Sequence, residues 1–175
     1  MNKAKGIIYM SFFAALTAVF SWIIIPIPIS PVPINLGIVS PILAGLILGS
    51  KMGALSQIIY LLLGTVGLPI FAGFKGGISV ITGPTGGFLI GYILAAYITG
   101  ILYKYIKREK YKVLFSVIAG VIMTYICGGI FYAYLFNTSL KASLFITVLP
   151  FIPGDILKVV LVMYLFKKIN NIKLR

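Results

Sequence analysis

Long apolar runs alternate with short polar, basic or glycine-rich connections along the 175 residues of this chain. Six such runs can be traced, at residues 7–25, 36–49, 52–66, 88–103, 113–135 and 149–168. A helix needs about 20 apolar residues to cross the hydrocarbon core of a bilayer. The pattern therefore predicts an all-α, polytopic membrane protein with six transmembrane helices.

The second and third runs are short for a complete crossing, and only Ser50 and Lys51 separate them. They are either two short spanning helices or a re-entrant hairpin, and both alternatives stay open.

The chain is 61% hydrophobic and 10% charged, and it contains no long polar linker. We therefore expect a single membrane-embedded domain over residues 1–175. Lys3 and Lys5 precede the first run as in a secretory signal, but no small-residue cleavage site follows, which favours a retained helix.

The formal net charge is +13, and its distribution predicts the orientation of the chain in the membrane. Cytoplasmic loops of membrane proteins are enriched in Lys and Arg. If the N-terminus is inside, the cytoplasmic side holds 12 of the 15 basic residues: Lys3, Lys5, Lys51, Lys104, Lys107, Arg108, Lys110, Lys112, Lys167, Lys168, Lys173 and Arg175. The outer side then receives only Lys75 and Lys141, and Lys158 falls within the last run. Both termini are thus predicted to be cytoplasmic, and the charge gives no reason to expect a nucleic-acid partner.

Three irregular stretches fall on the outer side in this orientation. They are the proline-rich residues 26–35, the glycine-rich residues 67–87 and the start of the last run at 150–155. Irregular backbone at membrane depth is tolerated where it is buried in protein or lines a cavity. The sequence therefore predicts a pocket that opens outward.

Asp155 is the informative one of the two acidic residues, because Glu109 lies in a basic stretch where solvent can reach it. An ionised side chain in a bilayer span costs about 2.5–3.5 kcal/mol and normally has a partner. Lys158 lies three residues later, on the same helical face. Asp155 either caps the helix while Lys158 neutralises it, or the two groups offer an acceptor and donors to a polar ligand.

Known catalytic and metal-binding patterns are missing from the sequence. It contains no His and a single Cys, Cys127, so the usual metal ligands and acid–base pair are not available. The glycine-rich stretch lacks the lysine followed by Ser or Thr of a phosphate-binding loop. Its glycines either allow backbone to approach a ligand or simply form a turn-rich connection.

Two further features have more than one interpretation. Ala14 and Ala18 are four residues apart, which permits close helix contact either inside the subunit or with another protein. Several aromatic residues fall near the predicted outer interface, where they anchor helices or wall a pocket. They are Trp22, Phe71, Phe74, Phe131, Tyr132 and Tyr134.

Four sequence blocks resemble the biotin-specific substrate-binding subunits, or S components, of energy-coupling-factor (ECF) transporters, the BioY family. They are PVPI at 31–34, GLPIFAG at 67–73, GPTGGFLIG at 83–91 and PFIPGDILK at 150–158. The resemblance covers nearly the whole chain, and the second pair of blocks is the more specific. It implies a multi-pass subunit in a prokaryotic plasma membrane that captures biotin from outside. It also implies that a transmembrane coupling protein and a pair of cytoplasmic ATPases deliver the energy, that Ala14 and Ala18 form the docking face for the coupling protein, and that the chain is not an enzyme.

The chain departs from the family pattern after PVPI, where Thr, a large aliphatic residue and Gln are common. Here Asn35, Leu36 and Gly37 follow. Asn35 can replace a hydroxyl as a hydrogen-bonding group, whereas Gly37 cannot replace a glutamine side chain. An S component for a different vitamin is therefore the alternative.

The working hypothesis is that biotin binds at Asp155 and Lys158. The carboxylate accepts from the N–H groups of the ureido ring, and the ammonium donates to a ligand oxygen at either end of biotin. Phe74 and Phe151 are candidates for the apolar walls, and the proline loop closes over the top. No cofactor or metal is expected, and biotin is the transported ligand. The predicted substrate-binding residues are Asp155, Lys158, Asn35, Phe74, Gly76, Gly77, Ser79, Thr85 and Phe151. An intramembrane enzyme and a purely structural membrane protein are the rivals from other classes.

Overall fold

The computed structural model describes residues 3–25 and 34–173, and helices dominate this part of the chain. The long helices are α1 (Lys3–Trp22), α5 (Gly86–Tyr105), α6 (Glu109–Leu135) and α8 (Ile152–Lys173). The shorter helices are α2 (Val39–Leu48), α3 (Ser50–Thr65), α4 (Ile78–Ile81) and α7 (Leu140–Thr147), and a 3-10 turn at Leu149–Phe151 leads into α8. The predicted all-α membrane fold is confirmed.

Four helical segments in the described ranges are long and apolar enough to cross a bilayer. They are Ala4–Trp22, Gly86–Tyr105, Glu109–Leu135 and Leu140–Asn171, the last of which includes α7, the 3-10 turn and α8. Helix α2 is apolar but has only 10 residues. At 1.5 Å per residue it is about 15 Å long, half the thickness of the hydrocarbon core. A count of six spans and cytoplasmic termini stay predictions.

The two short runs predicted at 36–49 and 52–66 form two separate helices. Gly49 ends α2 and precedes α3 with a φ of 82°, a left-handed conformation that costs glycine little. Helices α2 and α3 pack closely against each other, because a Cβ on Gly53 of α3 would lie 2.9 Å from the backbone nitrogen of Gly45 in α2. Gly45 is also close to α5, since a Cβ there would lie 2.4 Å from the carbonyl oxygen of Ala96. Small residues thus let α2, α3 and α5 approach each other closely.

Three departures from the predicted segments have local causes. Helix α7 was not predicted as a helix, and Ser139 begins it by accepting a hydrogen bond from the Ala142 N–H at 3.2 Å. Helix α6 starts at Glu109 instead of near residue 113, and Lys112 lies 3.2 Å from the Glu109 carboxylate in that first turn. The glycine-rich connection contains the single turn of α4.

Polar side chains join α1, α2 and α3 in the interior. The Thr17 hydroxyl lies 2.9 Å from Ser40 Oγ and 3.1 Å from Gln57 Oε1, and all three side chains are buried. Helices in lipid gain little from apolar burial alone, so interhelical hydrogen bonds of this kind help to fix their arrangement.

The outward faces of the helices are apolar, as expected for a surface in contact with lipid. Exposed large side chains recur at intervals of three or four residues along α6: Phe115, Ile118, Ile122, Ile126 and Ile130. Helix α8 exposes Ile156, Leu157, Val160 and Tyr164 in the same way. One face of each of these helices therefore faces the bilayer, and the other face packs against the protein interior.

A two-residue antiparallel ladder follows α1. Ile24–Ile25 pairs with Ile34–Asn35, with Ile24 opposite Asn35. The ladder brings the two ends of the proline-rich stretch together and fixes the start of α2. Residues 26–33 themselves, with the predicted closure over the ligand, lie outside the described residues.

Candidate functional site

One cavity of about 350 Å³ lies among α1, α5, α6, α8 and the glycine-rich loop. Its volume is within the range of about 300–1,000 Å³ that is typical of small-molecule sites. Apolar walls come from Ile38, Phe71, Val80, Phe88, Leu89 and Phe151. Polar groups come from Ser21, Asn35, Lys75, Ser79, Thr85, Tyr92, Thr124, Tyr125, Asp155 and Lys158. Most of the cavity surface is apolar, with polar groups distributed over it, and this combination suits a small amphipathic ligand.

The predicted acid–base pair lies in this cavity. Lys158 Nζ is 2.6 Å from Asp155 Oδ1, and each side chain is only 8% exposed. The two residues are three apart in the first turns of α8, so both project to the same face. Removal of two charged groups from water is costly. This cost is offset only if the two groups approach closely and make further hydrogen bonds.

Tyr125 of α6 supplies one of these hydrogen bonds by donating its hydroxyl proton to Asp155 Oδ2. The other oxygen, Oδ1, is buried and, within the part of the chain that the structure describes, has no donor aligned for a hydrogen bond. The ion pair with Lys158 therefore leaves hydrogen-bonding capacity on Asp155 Oδ1 unused. A ligand N–H group in the cavity could use that capacity.

A second polar cluster lies around Asn35 and includes side chains from α1 and α5. Asn35 Oδ1 accepts hydrogen bonds from the Gly37 N–H at 2.8 Å and from the Tyr92 hydroxyl at 3.1 Å. A Cβ on Gly37 would lie 2.6 Å from Ser21 Oγ and 2.7 Å from the Tyr92 hydroxyl. The cluster therefore requires both residues. Asn35 supplies the acceptor, and Gly37 leaves room for the hydroxyl groups of Ser21 and Tyr92.

The glycine-rich loop is anchored to the helices at several points. The Phe71 ring is 1% exposed and occupies the space above Gly64, where a Cβ would lie 2.1 Å from Phe71 Cζ. The Tyr60 hydroxyl donates to the Ile70 carbonyl at 3.2 Å, and Trp22 Nε1 donates to the Pro69 carbonyl at 3.0 Å. The loop wall of the cavity is thus held by α1 and α3.

The cavity brings together most of the residues predicted to bind the ligand. Asp155, Lys158, Asn35, Ser79, Thr85 and Phe151 all line it. The glycine-rich loop and the start of the last helix converge there, as the sequence predicted. A ligand contact by any of them stays a prediction.

Phe74, Gly76 and Gly77 do not line the cavity, and their placement there needs correction. Phe74 is 63% exposed and stacks on Trp22 with ring centroids 5.0 Å apart. Gly76 packs against the backbone, since a Cβ would lie 2.3 Å from the Leu68 carbonyl oxygen. Gly77 has a φ of 94° and precedes α4. Tight turns in the loop therefore account for these two glycines.

The docking face expected at Ala14 and Ala18 also needs correction. These side chains are 4% and 6% exposed and belong to the apolar core. Their small size serves packing inside the subunit, which was one of the two alternatives that the sequence left open. The neighbouring Ala15 is exposed on the other side of α1.

Sequence analysis missed several residues that line the cavity. Tyr125, Tyr92 and Thr124 lie inside long apolar runs, where aromatic and hydroxyl side chains are common. Lys75 was noted only as a basic residue on the outer side. Phe71 was among the aromatics with two possible roles, and it walls the cavity.

Comparisons with known proteins agree with this fold. The profile of the BioY family matches residues 1–175. A probable biotin transporter BioY of Pyrococcus horikoshii is 41% identical over 156 residues, which are 89% of this chain and 90% of that protein. The biotin transporter BioY of Thermotoga maritima is 38% identical over 157 residues, again 89% and 90% of the two chains.

A solved structure is also similar, that of the S-component for biotin from an ECF-type ABC transporter. It superposes with a TM-score of 0.86 at 30% identity, over 98% of this chain and 95% of the other. The family match spans the full sequence, and the curated relatives exceed 30% identity over most of their length. The chain belongs to the BioY family.

Proposed function

We propose that this protein is the biotin-binding membrane subunit of an ECF-type uptake transporter in a prokaryotic plasma membrane. Its relatives are named as biotin transporters, and the similar solved structure is an S-component for biotin. The observation that carries the proposal is the cavity itself, which encloses a buried carboxylate and a buried ammonium between apolar walls.

The ureido ring of biotin is the part of the ligand that matches Asp155 and Lys158. It offers N–H donors for Asp155 Oδ1, the oxygen that lacks an aligned donor among the described residues. Its carbonyl oxygen can accept from the Lys158 ammonium. Charge-assisted hydrogen bonds of this kind are about twice as strong as neutral ones.

Tyr125 acts as a positioning residue in this proposal. Its bond to Oδ2 holds the carboxylate so that Oδ1 faces the incoming ring. The thioether ring and the aliphatic chain of biotin then lie against Phe71, Phe88 and Phe151. Ser79 and Thr85 add hydroxyl groups on the loop side of the cavity.

The energy for uptake comes from other proteins in this proposal. The sequence carries no phosphate-binding loop and only two carboxylates, one of them in the cavity pair. We infer that a transmembrane coupling protein and a pair of cytoplasmic ATPases act with this subunit. We also infer that the chain binds and releases biotin without chemical change, as expected for a relative of named transporters.

A different vitamin is the second candidate ligand. The observation that favours it is the cluster of Asn35, Gly37, Tyr92 and Ser21, which occupies the position where the chain departs from the common family pattern. A changed hydrogen-bonding group in the wall of a small cavity is sufficient to alter ligand preference.

Isothermal titration of the purified chain in detergent tests the proposal. We expect saturable binding of biotin with one site per chain, and weaker binding of 2-iminobiotin, in which an imino group replaces the ureido oxygen. Riboflavin and thiamine serve as comparison ligands. Binding of one of these, with no response to biotin, would support the second candidate, and no binding of any small molecule would favour a structural role.

A further inference from the structure

The cavity has a further charged group, Lys75 of the glycine-rich loop. Three charged side chains line it, namely Lys75, Asp155 and Lys158. Asp155 and Lys158 neutralise each other at 2.6 Å. The cavity therefore carries a net charge of about +1, located at Lys75, and favours a ligand with one negative charge.

In the part of the chain that the structure describes, neither acidic side chain pairs with Lys75. The sequence contains two acidic residues, and both lie in the part of the chain that the structure describes. Glu109 lies 3.2 Å from Lys112, and Asp155 lies 2.6 Å from Lys158. The ammonium of Lys75 is thus left for solvent or for a ligand in the cavity.

The loop fixes the position of the Lys75 backbone. A tight turn at Gly73 and Phe74, with φ values of 71° and 57°, brings the chain back beside Phe71. The Phe71 N–H donates to the Lys75 carbonyl at 2.9 Å, and Phe71 itself is buried. Gly76 then packs closely against the Leu68 carbonyl. Phe74 is a bulky residue, for which a left-handed φ is uncommon and costs conformational energy. Stacking of its ring on Trp22 offsets that cost.

We propose that Lys75 binds the carboxylate of the ligand and so determines its direction in the cavity. This inference rests on the proposed function, because biotin carries one carboxylate at the end opposite its ureido ring. The ring then meets Asp155 and Lys158, and the carboxylate meets Lys75. A buried neutral pair thus recognises the uncharged polar end, and an exposed cation recognises the charged one.

The test compares biotin with biotinamide, in which a neutral carboxamide replaces the carboxylate. The purified full chain is titrated calorimetrically with both compounds as wild type, Lys75→Met, Lys75→Arg and Lys141→Met. Lys141 is the matched control, because it is the other lysine predicted on the outer side and lies on α7, away from the cavity. Binding of biotinamide also reports that each variant is folded.

We expect wild type to prefer biotin over biotinamide by about tenfold, as a partly solvated charge-assisted bond provides. Lys75→Met should lose this preference through weaker binding of biotin alone, whereas Lys75→Arg and Lys141→Met should keep it. The wild-type preference should also decrease at high salt. If wild type binds both compounds equally, if Lys75→Met binds biotin and keeps the preference, or if Lys141→Met loses it as well, Lys75 does not have this role. A wild-type chain that binds neither compound would overturn the proposed function together with it.

Discussion

At the scale of single residues, the cavity depends on polar groups that are held in place by partners from other helices. Asp155 interacts with Lys158 on its own helix and with Tyr125 on α6. Asn35 interacts with Tyr92 on α5. Each group is thereby oriented before a ligand arrives, which reduces the entropy lost on binding.

Replacement of Asp155 by Asn should weaken biotin binding by tenfold or more. The variant loses the negative charge and leaves Lys158 buried without a counter-ion, which costs about 3–5 kcal/mol when a buried pair is broken. Calorimetric Kd and the thermal midpoint are the measurements: Kd should rise and the thermal midpoint should fall. Glu109→Gln is the matched control, since Glu109 is the other acidic residue and its side chain is 82% exposed. Unchanged biotin affinity in Asp155→Asn would remove the carboxylate from the binding site.

Replacement of Gly37 by Ala should weaken biotin binding and lower the thermal midpoint. The new Cβ would lie 2.6–2.8 Å from Ser21 Oγ, the Tyr92 hydroxyl and Asn35 Oδ1, so the polar cluster must move. Overpacking of this kind costs about 1–3 kcal/mol. Titration and thermal unfolding measure the two effects, and a variant identical to wild type in both would show that the cluster adapts without cost.

At the scale of elements, each helix divides its surface between the protein interior and lipid. Helix α6 turns Ser116, Gly120 and Thr124 inward and a row of large aliphatic and aromatic residues outward. Helix α1 does the same, with Ala14 and Ala18 inside and Ile8, Phe12 and Ala15 outside. The small residues therefore set helix separation, and the large ones meet the bilayer.

Ala14→Leu and Ala15→Leu should have different effects, although the residues are adjacent. Ala14 is 4% exposed, so a larger side chain must overpack the core and lower the thermal midpoint. Ala15 is exposed and should accept leucine with little change in stability. Thermal unfolding of the two purified variants is the measurement. Equal midpoints would contradict the internal packing of Ala14 that the structure shows.

At the scale of the whole molecule, the fold gathers its irregular backbone at one site. The glycine-rich loop, the ladder that follows α1 and the start of α8 all contribute to the same cavity. Regular helices make up most of the rest, as expected where backbone groups cannot be satisfied by water. The lipid-facing surface and the cavity-lining surface are thus separate.

The predicted orientation can be tested by cysteine labelling. Cys127 is the single cysteine, so Cys127→Ala gives a background without thiols. A membrane-impermeant maleimide added to intact cells should label Lys141→Cys and leave Lys5→Cys and Lys107→Cys unlabelled until the membrane is permeabilised. The reason is the excess of basic residues on the predicted cytoplasmic side. The opposite labelling pattern would invert the topology and would place the mouth of the cavity on the inside.

The sequence alone determined that this chain is a helical membrane protein and that Asp155 and Lys158 are its unusual residues. Apolar runs, basic connections and a charged pair inside a span are local features, and they have the same physical meaning in any fold. Family-specific blocks such as GPTGG at 83–87 added the prediction that the ligand is biotin. These conclusions did not require knowledge of which helices touch.

Only the tertiary structure decided which other residues share the cavity. Tyr125 contacts Asp155 across 30 positions of sequence, and Asn35 contacts Tyr92 across 57. The structure also moved Phe74 out of the cavity, brought Lys75 to its wall and buried Ala14 and Ala18. The physical reason is that the direction of a side chain depends on helix rotation and on turn geometry. Both are set by packing between distant segments, and the periodicity of one segment does not contain that information.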